Sequence, residues 1–173
     1  MWVPPEEKDP VLLHHPTRKS VGYFGAVRLR DGKLVCQREE EKFNAMTFHR
    51  FLKRLRQASS RSGRRVVVIA DNARYHHAKL HADWRNNQAP HFVLDFLPPY
   101  SPDLNPIERL WKLARKLCLH NRYFPTLGDV VRSVESRFAE WASGRKVVPK
   151  LCAITRCIAC RCLSVAGVPV SSV

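Results

Sequence analysis

The chain has 173 residues, with 30 Lys+Arg against 15 Asp+Glu and a formal net charge of +15. Apolar residues make up 45% of it, which excludes wholesale disorder, and the length suffices for one domain with a sizeable core. No apolar run reaches the length of a membrane span, and residues 1–7 lack the basic-then-apolar pattern of a secretory signal, so a cytoplasmic protein with no membrane partner is expected. So large an excess of one sign points to a polyanion, nucleic acid first.

Residues 1–18 read as an irregular entry, with Pro4, Pro5, Pro10 and Pro16. Val21 to Arg30 is strand-like, and Asp31-Gly32 signals a hairpin turn into Lys33-Leu34-Val35-Cys36. Asp31 is therefore read as a turn residue. Asn44 is placed to cap a helix whose apolar face holds Phe48, Phe51, Leu52 and Leu55. Residues 45–60 contain no acid, so Arg50, Lys53 and Arg54 form a basic face. Such a face is often only solvated, but it can also neutralise DNA phosphates. The basic loop at 61–65 leads into Val66-Val67-Val68-Ile69-Ala70, a buried strand on composition.

Asp71-Asn72 follows that strand at once. Parallel strands present ligands at their carboxyl ends, although the pair equally fits an ordinary strand end and helix cap. Residues 73–87 are expected to be helical, with Tyr75, His76, His77 and His81. His77 and His81 are spaced to share a face. Without a metalloprotease pattern they are read as structural. His91 to Phe96 is the next strand, with Asp95 as a reserve acid.

The stretch Leu97-Pro98-Pro99-Tyr100-Ser101-Pro102-Asp103-Leu104-Asn105-Pro106-Ile107-Glu108 is more specific. Its prolines forbid strand or helix until Asn105, an expected N-cap, and Pro106 at the first helical position. Glu108 falls three residues after the cap, where a capping box would also place it. Ile107, Leu110, Trp111, Ala114, Leu117 and Cys118 then recur at helical spacing. Glu108, Lys112, Arg115 and Lys116 lie off that face. The pair Asp71 and Glu108 suits a hard divalent cation, which takes carboxylate oxygens. A further helix is expected over 126–143, with Gly144 as its stop.

Taken together, Ala70-Asp71-Asn72-Ala73-Arg74-Tyr75-His76 and the proline stretch ending in Glu108 resemble the DDE endonuclease domain of mariner-superfamily transposases, in its bacterial insertion-sequence branch. The resemblance runs from about Trp2 to Ser143. It implies an α/β, ribonuclease-H-like mixed sheet flanked by helices. It also implies cleavage and joining of DNA strands with Mg2+ or Mn2+, two ions being expected in an intact site. On this pattern Asp71 and Glu108 match the second and third acids of the triad, as catalytic and metal-binding residues. Asn72, His76 and Asn105 would support them from behind. Arg50, Lys53, Arg54, Lys112, Arg115 and Lys116 would hold DNA. The first acid has no match, because Asp9 lies in the irregular opening and Asp31 in a turn. The chain is therefore expected to lack the first strand of the domain, along with the element-end-binding region, and to be inactive alone.

The resemblance fades in residues 144–173, which hold Cys152, Cys157, Cys160 and Cys162. A single Cys-x-x-Cys is half a zinc or redox motif, and this tail is expected to pack poorly. Three functions compete. The first is a transposase catalytic fragment acting on insertion-sequence ends and target DNA. The second is a non-catalytic basic nucleic-acid-binding remnant that interferes with an intact transposase, and a second copy or an intact transposase is the expected protein partner. The third is a zinc protein built on the tail.

Overall fold

In the computed structural model, residues 20–29, 31–59, 65–99, 104–142 and 148 are described, together with the backbone of 161–171. The 61–64 loop, Tyr100 to Asp103 and the Cys157-x-x-Cys160 motif lie outside these residues.

The chain opens on an antiparallel pair, β1 (Ser20–Arg28) and β2 (Leu34–Glu39), in the register Gly25↔Cys36. The turn between them is built as its Asp-Gly pair suggests. Gly32 adopts φ 72° and donates to the Arg28 carbonyl at 2.8 Å. Asp31 Oδ1 accepts from Lys33 N and from Arg28 Nε, so this carboxylate serves the turn.

Helix α1 (Ala45–Ser59) starts where Asn44 predicts. Asn44 Oδ1 accepts from the amides of Met46 and Thr47 at 2.9 Å each, and Thr47 Oγ1 accepts from Asn44 N at 3.0 Å. Three otherwise unpaired donors are satisfied.

Strand β3 (Val66–Ala70) follows, then β4 (Phe92–Phe96), paired in parallel with Val68 opposite Leu94. Between them the expected single helix is replaced by two 3-10 turns, Arg74–His77 and Lys79–His81, before the short helix α2 (Ala82–Gln88). Ala78, with extended backbone, separates the turns. The chain yields helical hydrogen bonds here to side-chain ones. His76 reaches back to Asp71 and His81 to the Tyr75 carbonyl.

Helix α3 (Pro106–Ala114) begins on Pro106 and runs into a wider π-type turn over Arg115–Leu119, closed by His120 N to Arg115 O at 2.9 Å. Asn121, at φ 56°, reverses the chain. Helix α4 (Leu127–Ala142) then starts on a reciprocal cap, with Thr126 Oγ1 accepting from Asp129 N and Asp129 Oδ2 accepting from Thr126 N.

The last strand, β5 (Arg161–Ser171), departs from the sequence reading. Instead of forming a poorly packed tail, its backbone fills the centre of a five-stranded sheet in the order β2-β1-β5-β3-β4. It is antiparallel to β1 over Leu163 to Ser171 and parallel to β3 over Arg161 to Val165. Pro169, which has no N–H to give a ladder, would be out of place in an ordinary central strand. Its position explains the tolerance. β3 pairing ends at Val165, so among the described residues only β1 pairs with the strand at Pro169.

The sheet divides the core in two. Alternate β1 residues Phe24 and Ala26 pack with Val66, Val68, Ala70 and α1. Tyr23 and Val27 pack on the other side with Ile107, Leu110, Trp111 and α4. The chain is a mixed α/β layer with helices on both faces.

Candidate active site

The carboxyl end of β3 and the start of α3 meet beside the sheet. Asp71, the residue after β3, is half-buried and tightly held. His76 is fully buried, and its Nδ1 lies 2.8 Å from Asp71 Oδ1 and 2.9 Å from the Asp71 carbonyl. Both oxygens are acceptors, so Nδ1 carries the proton and donates to them. The amide of Ala73 donates to the same Oδ1 at 3.1 Å. Burial works against ionisation of Asp71, yet the His76 contact and this amide hold its carboxyl below the usual range. Asp71 is thus kept as an anion.

Glu108 stands in the first turn of α3, half-buried. Its amide donates to the Asn105 carbonyl at 3.1 Å. Asn105 is at the N-cap position and buried, but its side chain makes no capping bond, so the expected capping box is not what holds Glu108. Burial raises the Glu108 carboxyl above its ordinary value. The charge of Asp71 raises it further, while Arg115 and Lys112 pull it down. Two acids on separate elements therefore feel one another. This is the donor chemistry a shared divalent cation satisfies, since a cation would cancel both the repulsion and part of the burial cost.

The stretch before Glu108 is fastened to the stretch after Asp71. Asn72 Nδ2 donates to the Leu97 carbonyl, and Leu97 N donates to the Ala70 carbonyl at 2.9 Å. Asp95, the reserve acid, lies exposed on β4 with Oδ1 accepting from Phe96 N at 2.8 Å.

The six expected DNA-binding residues do not form one surface. Lys112, Arg115 and Lys116 are exposed on α3 and the turn that extends it, beside Glu108. Arg50, Lys53 and Arg54 are exposed on α1, which covers the opposite face of the sheet. Arg50 also faces the buried Glu39 at 3.7 Å.

Neither His77 nor His81 gathers a metal set. Among the described residues no group of three or more His, Cys, Asp or Glu is placed to hold an ion. His81 is buried against the Tyr75 carbonyl at 3.2 Å, whereas His77 reaches Asn72 Oδ1 at 3.2 Å. That second contact was not legible in the sequence, where His77 was marked only by its spacing from His81. The β5 register is the other finding invisible in the sequence. Val165 pairs with Ala70, so position 166 stands level with Asp71, and it pairs across with Gly25. No acid occurs from Arg161 to Ser171.

Comparison with known proteins bears on the family and the fold. Residues 1–131 match the family model described as DDE superfamily endonuclease. The insertion element IS630 uncharacterized 39 kDa protein of Shigella sonnei is 29% identical over 110 residues, covering 64% of this chain and 31% of that protein. The uncharacterized protein y4pE/y4sA of Sinorhizobium fredii is 36% identical over 69 residues, covering 40% of this chain and 47% of that one. The chain thus spans less than half the length of either relative. Among solved structures, the Mos1 strand transfer complex shares the fold at a TM-score of 0.57 and 21% identity, over 88% of this chain and 47% of that one. The mixed sheet with helices on both faces is the ribonuclease-H-like arrangement expected from the sequence. Among the described residues, no helix is long and apolar enough to cross a membrane.

Proposed function

Since this chain belongs to the DDE superfamily endonuclease family, we propose that it is the catalytic part of an insertion-sequence transposase, acting on the phosphodiester backbone of DNA through Asp71 and Glu108. The observation that carries this reading is the pairing of two half-buried acids at the end of β3 and the start of α3, one held ionised and the other raised by burial and then by its neighbour's charge. Divalent ions are general in this family, and Mg2+ or Mn2+ suits two carboxylates. When bound, such ions activate an attacking oxygen and stabilise a leaving one.

The chain's own residues do the rest. His76 donates through Nδ1 to Asp71, fixing one carboxylate oxygen and leaving the other for a cation. Asn105 sets the first turn of α3 and so the height of Glu108. Lys112, Arg115 and Lys116, exposed beside Glu108, meet phosphates and position a strand without reading its bases. Arg50, Lys53 and Arg54 belong to the far face and would meet DNA only where it wraps the domain.

The test is nicking of supercoiled plasmid by the full chain with Mg2+ or Mn2+. Nicking that needs metal and disappears in Asp71→Ala and Glu108→Ala supports the assignment; nicking that survives either change overturns it. The second reading, a DNA-binding remnant without catalysis, is favoured by the absence of a third acid from β5 beside Asp71. It requires salt-sensitive DNA binding with no nicking in any metal.

A further inference from the structure

We propose that His77 is a positioning residue, which with Asn72 fastens Leu97 to the end of β3 and so holds Asp71 in place to share a cation with Glu108. The proposal rests on the reading of those two acids as cation ligands.

The argument begins with the Asn72 amide, both halves of which are engaged. Its Nδ2 donates to the Leu97 carbonyl, and its Oδ1 lies 3.2 Å from His77 Nε2. An amide oxygen only accepts, so His77 Nε2 carries the proton and donates. Asn and His rings or amides can flip, and here each contact fixes the other. With His77 donating to Oδ1, the amide can present only its NH2 group to Leu97. The imidazole plane is set in turn by stacking on Phe96, with ring centroids 4.0 Å apart and planes 24° from parallel. Leu97 is thus gripped on both sides, by Asn72 at its carbonyl and by Ala70 at its amide at 2.9 Å. Asp71 lies between those two gripping residues.

Leu97 is followed by Pro98 and Pro99, whose fixed φ limits how the chain can leave it. A cation shared by two carboxylates tolerates displacements of only about 0.5 Å in its ligands. The strap His77–Asn72–Leu97, with the Leu97–Ala70 bond, holds both neighbours of Asp71 against the residue that follows β4. His77 acts in this scheme through Asn72, to which its Nε2 proton is turned.

The test has two readouts on the full chain. Amide hydrogen exchange at Leu97, measured without metal, reads the strap directly. Mn2+ titration reads its consequence. His77→Ala is expected to speed Leu97 exchange and weaken Mn2+ binding about tenfold, with the thermal midpoint little changed. His77→Gln, whose amide can still donate to Asn72 Oδ1, is expected to recover both. In an Asn72→Ala background, His77→Ala should add nothing further. Wild-type Leu97 exchange in His77→Ala overturns the strap, as does an independent, additive loss of Mn2+ affinity in the two variants. An Asp71→Asn chain that binds Mn2+ as the wild type does removes the metal assignment and with it the role proposed for the strap, while the exchange readout still reports whether the strap exists.

Discussion

Glu108 is the residue at which the site's electrostatics are least favourable. Burial and then the Asp71 charge raise its carboxyl above the ordinary value, so the folded chain holds its ionised form at a cost. A carboxyl raised in this way destabilises the fold while ionised, and the penalty fades as pH falls through the raised value. Glu108→Gln is therefore expected to raise the thermal midpoint of the metal-free chain at neutral pH. The same change should abolish stabilisation by Mn2+, which for a chain in metal at one hundred times Kd is about 2.7 kcal/mol. Thermal melts of both chains with and without metal check this, and an unchanged metal response in Glu108→Gln would remove Glu108 from the ligand set. His81 gives the opposite dependence. It is wholly buried, and burial lowers its value below 6.5 despite the Tyr75 carbonyl. The neutral ring is the one the fold accepts, so its contribution is complete above about pH 6.5 and is lost as pH falls from there toward the folded value. Urea midpoints from pH 7.5 downward should decline more steeply in the wild type than in His81→Gln.

At the level of elements, one contact that places α3 is the packing of Trp111 on β1. A Cβ built on Gly25 would lie 2.5 Å from Trp111 Cη2 and Cζ2, so the indole occupies the space that only a glycine leaves open. Gly25→Ala is expected to cost about 1–3 kcal/mol by overpacking. In a Trp111→Leu background the same change should cost much less, and urea midpoints across the double-mutant cycle would show it. Trp111 follows Glu108 by one turn of α3, so Gly25→Ala should also weaken Mn2+ binding. The elements themselves were legible where their signals are local. Asn44 and Thr47 cap α1, Pro106 opens α3, and four β-branched residues make β3. The helix expected over 73–87 failed because apolar spacing cannot report the bonds of His76 and His81, which turn the chain early. Asp71 and Glu108 were legible as a pair, but the grip of His76 on one of them and the opposing sheet faces of the two basic helices are tertiary facts.

At the scale of the whole molecule, the question is what β5 brings to the centre of the sheet. Ser171 pairs with Ser20, the farthest-separated partners in the ladder, and such pairing leaves no local mark in sequence. Pro169 argued against a central strand until the short reach of β3 made room for it. The register gives position 166 a particular standing, one residue beyond the Val165–Ala70 pair and directly opposite Gly25. Side chains alternate along a strand, so position 166 belongs to the same alternate set as Gly25 and Asp71, the set on the α3 side. An acid there would stand next to Asp71 in the sheet, where this chain has alanine. Ala166→Asp is accordingly expected to act in opposite directions with and without metal. In EDTA a third anion beside Asp71 and Glu108 should lower the thermal midpoint. With Mn2+ the midpoint should rise above that of the wild type, because three carboxylates hold a divalent ion more tightly than two. Calorimetric titration should show about tenfold tighter Mn2+ binding, lost again in Asp71→Asn. If Ala166→Asp is destabilised equally with and without metal, β5 does not stand in this register beside Asp71, and the slot between β1 and β3 is filled differently in solution.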